Sequence, residues 1–384
     1  VDLKAQDGDV LTLILVTFLL GAFIGSFLNV CVHRLPRNES VVHPPSRCYA
    51  CGTHLSWYDN LPILGWLMVW GRCRACGTHF SSRYLFAELA VGALTAGTAV
   101  WLQTTDLVWQ RFGYVSEMVA FGLAFTALLV LVWNLYVSSL IDLDHYIIPD
   151  ELTKSFQLLS PFLAVLAGTG MAIEAPLPES WGISIDAFGV VTQTPMHLLA
   201  WMGGIGGGAL LLLALSVPVA RVIYSTFTKE APWTEDDHRG FRTGVWWFMA
   251  CTAVHLSALA GLLLIQPGSW WLLASLLLAQ AILGSLAGWF SLYLVGFFGT
   301  IAFRKNAMGF GDVKFLAPIG AFLGPVGVLY AFFAAAIIGT IIGVPMLILR
   351  STRVVPFGPY LAMGALLVLV LGGWFHRLLF AGLI

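Results

Sequence analysis

Two aspartates stand where an apolar chain makes them costly. Asp142 and Asp312 lie in "SLIDLDHYIIPDE" and "MGFGDVKFL", each at the edge of a long hydrophobic run. An ionisable group in or beside a membrane span is a functional candidate by default, because burying a charge is expensive. Two carboxylates that share a site cannot both ionise easily, so one keeps its proton near neutral pH. The ionised partner then deprotonates a water while the protonated one polarises a carbonyl. That is the chemistry of aspartic proteolysis, and it needs no metal. The neighbouring residues suit it. Gly309 and Gly311 permit a tight turn and close approach of another chain. Pro149 breaks a helix where an extended strand can dock. Asp150 also reads as a cap for a helix starting near Glu151, Asp144 as a solvated loop charge, and Lys314 as an ordinary inside charge. Glu88 pairs with Arg83, one turn away.

Four cysteines form a second constellation. "CYAC" and "CRAC" supply Cys48, Cys51, Cys73 and Cys76, and each pair is followed by Gly-Thr-His. Two such pairs suit one tetrahedral zinc ion, and four thiolates leave no open position for catalysis. A redox or metal-free role is the alternative. Cys31 and Cys251 lie in apolar segments and read as packing residues.

The elements that must position these groups are membrane helices. Of 384 residues, 59% are hydrophobic and 10% charged, against roughly 25% charged in soluble domains. The net charge of −1 says nothing about nucleic acid, and no basic run points to such a partner, so none is expected. Apolar runs of about 20 residues predict spans at 10–32, 84–102, 119–141, 152–173, 196–223, 245–265, 270–303, 326–349 and 357–380. A short piece at 313–323 is a further span or half-helix. The fold class is thus an all-α polytopic membrane protein with about ten crossings and a small cytoplasmic four-cysteine domain. The first run has its basic residues after it rather than before it, unlike a secretory signal. With residues 33–83 inside, all of the 19 basic residues except Lys4, Arg111 and Arg377 fall on the cytoplasmic side, as cytoplasmic loops require. Asp142 and Asp312 then both lie at that face.

The ordered motifs resemble those of the type IV prepilin peptidases. The stretches are "GSFLNVCVHRLP" (25–36), the two cysteine pairs, "WYDNLPILGWL" (57–67), "SSRYLFAEL" (81–89), "IDLDHYIIPD" (141–150), "MGFGDVK" (308–314) and "PFGPYLA" (356–362). The resemblance implies a bifunctional enzyme of the bacterial inner membrane. Its cytoplasmic-facing site would cut the leader from prepilins or pseudopilins with Asp142 and Asp312. It would then methylate the new N-terminus with S-adenosylmethionine. It also implies zinc on the four cysteines, and it points to the N-terminal region for the methyl donor, with Gly25, Asn29, Arg34, Asp59 and Asn60 as candidates. Close helix packing for Gly25 and loop structure for the others are the competing reading. The parts are then a first span (1–32), the zinc domain (33–83), helices carrying the first aspartate (84–173), an insertion (174–266) and helices carrying the GFGD motif (267–384). The insertion is longer than the family pattern. It holds an acidic outer loop, "GGIGGG" (203–208), read as helix packing, and a charged inner loop (228–244). Alternatives are a peptidase without methylation and, from another class, an ion-coupled transporter with midplane acids. Besides the pilin substrate the expected partner is membrane lipid; the oligomeric state is left open.

Overall fold

The structure is a computed structural model that describes residues 3–103, 116–168, 235–264, 269–304, 308–350 and 355–380. The acidic loop, the span at 196–223 and the GGIGGG run expected between 174 and 234 lie outside the described residues. Helices dominate, as the apolar runs require: in lipid every backbone N–H and C=O must be satisfied within its own segment. Among the described residues the only β pairing is two isolated bridges, Arg47 to His54 and Arg72 to His79. Six described helices are long and apolar enough to cross a membrane.

The chain divides into two compact units, Val1–Asp106 with Leu128–Pro149, and Leu107–Ala127 with Asp150–Ile384. In the first unit α1 (Leu3–Arg34) packs along α3 (Arg83–Gln103), with the short α2 (Leu64–Met68) between them in sequence. Small residues set the approach of α1 and α3, as in other membrane helix pairs. A Cβ at Gly21 would lie 2.5 Å from Thr95 Oγ1, and one at Gly25 would lie 3.0 Å from Glu88 Cα. This is the packing role expected of Gly25. The last part of α4 (Glu117–His145) also belongs to this unit. Trp133 Nε1 donates to Thr95 Oγ1 at 3.1 Å, joining α4 to α3.

The second unit contains α5 (Asp150–Ala167), α6 (Glu235–Leu264), α7 (Ser269–Phe303), α8 (Phe310–Arg350) and α9 (Gly358–Phe380). Its tightest contact joins α7 and α8. A Cβ at Gly284 would come within 2.0 Å of the Gly320 carbonyl oxygen, and one at Gly320 would meet the Gly284 carbonyl oxygen at the same distance. Gly288 lies similarly close to the Leu316 carbonyl, and Gly364 of α9 to that of Ala331.

The separation expected between 313–323 and 326–349 is present: α8 is interrupted at Gly324 (φ 73°, ψ 175°), just before Pro325, so a short helical piece precedes the longer one. Proline removes a helical donor and restricts the residue before it, and glycine tolerates the resulting conformation. Of the expected span at 152–173, residues 152–167 are helical, in α5, with Gly168 at φ 59°; residues 169–173 lie outside the described residues. Helix α5 carries Asp150, Glu151 and Lys154 and is not among the six membrane-length helices. The inner loop expected over 228–244 is helical from Glu235.

Candidate functional site

Asp142 occupies the last turn of α4 and is 5% exposed. The helix ends because Tyr146 turns left-handed (φ 57°) and donates its N–H to the Asp142 carbonyl at 2.9 Å. Asp144 is exposed, as expected of a solvated charge, but it lies in the last turn of α4 and has a partner. Its two oxygens take Arg83 as a fork, with contacts of 2.9 and 2.7 Å. That pair ties the end of α4 to the start of α3. Arg83 is therefore not the partner of Glu88. Glu88 is 8% exposed, and its Oε2 accepts the Ile63 backbone N–H at 2.7 Å.

Asp312 stands in the first turn of α8, in the second unit. A Cβ at Gly309 would lie 3.5 Å from Asp312 Oδ2, so the carboxylate folds back over the turn. The start of α8 is fixed from several sides. Phe310 packs against Phe241 with ring centroids 4.6 Å apart, and edge-on to buried Trp289. Gly244 leaves the room: a Cβ there would meet Phe310 Cε1 at 2.5 Å and Lys314 Cε at 2.8 Å. Gln157 Nε2 of α5 donates to the Lys314 carbonyl at 3.0 Å.

Lys314 is not an ordinary surface charge. It is 7% exposed, and its Nζ lies 2.5 Å from Asp150 Oδ1 and 5.1 Å from the centre of the Phe310 ring. The other Asp150 oxygen takes Lys154 at 2.7 Å. Burial pushes the Asp150 carboxyl up, but the bonds to Lys154 and Lys314 outweigh it and hold it below the usual value. Pro149 precedes this residue in the four-residue link from α4 to α5, so helix breaks flank both motifs as their glycine and proline content implies.

The four cysteines converge. Their sulfurs all lie within 4.8 Å of one another, with Cys48 to Cys76 at 3.8 Å and Cys51 to Cys73 at 3.9 Å. A tetrahedral ion with Zn–S bonds of about 2.3 Å has S–S edges of about 3.8 Å, so the set has metal-binding dimensions. Both halves fold alike. Cys48 and Cys73 each donate N–H to a threonine carbonyl (Thr53, Thr78) at 2.9 Å, and Gly52 and Gly77 both turn at positive φ. This is the repeat that the doubled Cys-Gly-Thr-His motif predicts. Contacts with Thr78 hold the Cys76 thiol down at about 6, and Thr53 lowers Cys51 in the same way. These two shifts favour the thiolate that a metal binds. Cys48, sharing hydrogen bonds with Cys51 and Cys73, shifts up, so the sulfur geometry rather than the titration carries the metal reading.

A cavity of about 730 Å³ opens beside this domain, within the first unit. Asn29, Arg34, Asp59 and Asn60 all line it, as do Trp66 and Glu88. Gly25 does not; its place is the α1–α3 contact. Arg34 is 7% exposed and spends its guanidinium on the Ser40 and Pro44 carbonyls at 2.9 and 2.8 Å, which makes it a builder of the wall. Asp59 takes Arg74 Nε at 2.7 Å, and Asn29 Nδ2 donates to the Tyr84 carbonyl at 3.2 Å. Glu88 and Lys314 are the residues whose parts in these sites sequence reasoning missed. The signal for both was an ionisable group inside an apolar helix.

Comparison with known proteins agrees with this architecture. Residues 19–102 match the bacterial peptidase A24 N-terminal domain, and residues 245–344 match the type IV leader peptidase family. A "Prepilin leader peptidase/N-methyltransferase" of Myxococcus xanthus is 38% identical over 151 residues, spanning 39% of this chain and 40% of that protein. The protein of the same name from Pseudomonas aeruginosa is 26% identical over 97% of this chain and 96% of its own length. That from Stutzerimonas stutzeri is 24% identical over 94% and 92%. No solved structure matches the chain significantly. The two matched regions contain the cysteine domain and the GFGD helix respectively, so the chain carries both the bacterial peptidase A24 N-terminal domain and the type IV leader peptidase region, and is similar over nearly its whole length to proteins named prepilin leader peptidase/N-methyltransferase.

Proposed function

We propose that this protein cleaves the leader of prepilins or pseudopilins at the cytoplasmic face of the bacterial inner membrane and methylates the new N-terminal amine. The observation that carries the peptidase reading is the location of two acids at helix ends. Asp142 is in the last turn of a membrane-length helix, and Asp312 in the first turn of another. Acids at helix ends suit a substrate whose leader is aqueous and whose following segment is a membrane helix. A transporter of the alternative class would hold them near the middle of its spans.

The reaction divides between the two carboxyls. One, ionised, accepts a proton from water as that water attacks the scissile carbonyl. The other, protonated, donates a hydrogen bond to the carbonyl oxygen and then a proton to the departing amine. The glycines at 309 and 311 keep the turn before Asp312 narrow enough for a substrate backbone to lie against it.

The zinc reading rests on the sulfur spacing. An ion held by Cys48, Cys51, Cys73 and Cys76 would have no open position and would act as a cross-link between the two halves of the domain. For the methyl donor, support comes from the cavity. Its volume lies within the roughly 300–1,000 Å³ common for small-molecule sites. Asn29, Asn60 and Glu88 offer polar groups there, and Trp66 an aromatic face. S-adenosylmethionine, when bound, supplies the methyl group; these residues would bind and orient it.

The test is a mass measurement. Purified protein is incubated with a prepilin, with and without S-adenosylmethionine. The reading expects loss of the leader in both cases and one added methyl only with the donor. An uncut prepilin would sink the peptidase; cleavage with no mass gain would restrict the protein to peptidase activity.

A further inference from the structure

One surface outside the membrane-length helices is unusually apolar. On α2, Leu64, Leu67 and Met68 are exposed at i, i+3 and i+4, so they share one face. Trp70 beside them is 82% exposed and Trp57 77%. Gly65 is buried and Trp66 lines the cavity, so the segment has an inner and an outer side. Large exposed apolar patches mark interaction sites.

The segment's attachment indicates what covers that outer side. The residue just before α2 is anchored by the bond from the Ile63 N–H to Glu88 Oε2. Glu88 lies five residues into α3, about 7 Å along the helix, and the membrane-length helix begins at Arg83. Its end is anchored as well. Phe80 donates N–H to the Gly71 carbonyl at 2.7 Å, just before α3 starts. The inner wall, Pro62, Trp66 and Val69, faces the same cavity as Phe23 and Phe27 of α1. The segment is thus tied near the start of α3, through Glu88 in its second turn and Phe80 just before it, and shares a cavity wall with α1. Its charge fits too. Residues 61–82 contain no acid; Arg72 is exposed, and Arg74, also exposed, is paired with Asp59. Exposed leucine, methionine and tryptophan beside arginine are what the headgroup boundary of an anionic bilayer accepts.

We infer that the 61–70 segment is an interfacial membrane anchor, with Leu64, Leu67, Met68 and Trp70 inserted at the boundary between phospholipid headgroups and acyl chains. It fixes the cysteine domain and the cavity against the membrane surface. This stands independently of which reaction the cavity serves.

The test is photo-crosslinking of the full-length protein in nanodiscs of phosphatidylethanolamine and phosphatidylglycerol. A benzophenone amino acid replaces Leu67 in one variant and Met68 in another, with His54, exposed on the first knuckle, as the comparison position. Mass spectrometry after illumination should find phospholipid adducts at 67 and 68 and none at 54. Adducts to a second copy of the chain, adducts equal at all three positions, or no lipid adduct at either test position would overturn the inference. Two test positions keep it decidable if one variant does not fold.

Discussion

Lys314 Nζ lies 2.5 Å from Asp150 Oδ1, joining the residue that closes the IDLDHYIIPD motif to the residue two beyond Asp312. Two residues 164 apart in sequence are thus joined by one ion pair between α5 and α8, within the second unit. Lys314 is nearly buried, and the Asp150 side chain is 38% exposed. Replacing Lys314 with Met keeps the volume and removes the charge. A hydrogen bond between charged groups contributes about 1.5–3 kcal/mol, reduced by the exposure of one partner, so a loss of about 1–2 kcal/mol is expected. A thermal melt in detergent measures it, and Lys154→Met, on the other Asp150 oxygen, should cost less.

The same pair sets a pH dependence. Burial raises the Asp150 carboxyl but its two lysines lower it further, so its folded value is depressed. Its contribution to stability is then fully present above the usual carboxyl value, about 4, and lost as the pH falls through the depressed folded value. The difference in melting temperature between wild type and Asp150→Asn should therefore be constant above about pH 5 and shrink in more acid buffer.

Helix packing makes a sharper prediction. A Cβ at Gly320 would lie 2.0 Å from a backbone oxygen, which cannot move aside as a side chain does. Gly320→Ala should cost about 3 kcal/mol or more, at the upper end of overpacking effects. A Cβ at Gly97, exposed on α3, would meet nothing within 4 Å. Gly97→Ala should leave the melt where it was.

Metal content checks the cysteine domain. Elemental analysis of purified wild type should find one zinc ion per chain, and Cys48→Ser and Cys76→Ser should each lose it. A metal-free wild type with an intact fold would contradict the structural role.

The cavity predicts a separation of activities. Glu88→Gln keeps an acceptor for the Ile63 N–H but removes the negative charge from the cavity wall. Binding of S-adenosylmethionine should weaken about tenfold, ~1.4 kcal/mol, while leader cleavage continues. Isothermal titration with the donor and the mass assay read the two effects separately.

Much of this was legible in the chain itself. Apolar runs locate helices because each span must satisfy its own backbone, and the paired Cys-Gly-Thr-His motifs show a repeated knuckle because each loop repeats the same turn. What stayed hidden depends on distance in sequence. Nothing near Lys314 names Asp150 as its partner, and Glu88 sits one turn from Arg83, where a local pair is the natural reading. Only folding shows Arg83 turned to Asp144 and Glu88 turned to a loop backbone. Glycine is equally silent. Gly284 and Gly320 look like any others until their helices cross with no room for a side chain.

The central claim is that Asp142 and Asp312 together cleave the peptide bond. The most direct measurement is the rate of leader removal from a prepilin by Asp142→Asn and Asp312→Asn, with Asp144→Asn as comparison and melting curves for all. The account predicts that the first two variants fold and cut no faster than the uncatalysed background, while Asp144→Asn, having lost only a helix-end ion pair, still cuts. Folded Asp142→Asn or Asp312→Asn protein that cleaves at the wild-type rate would contradict it.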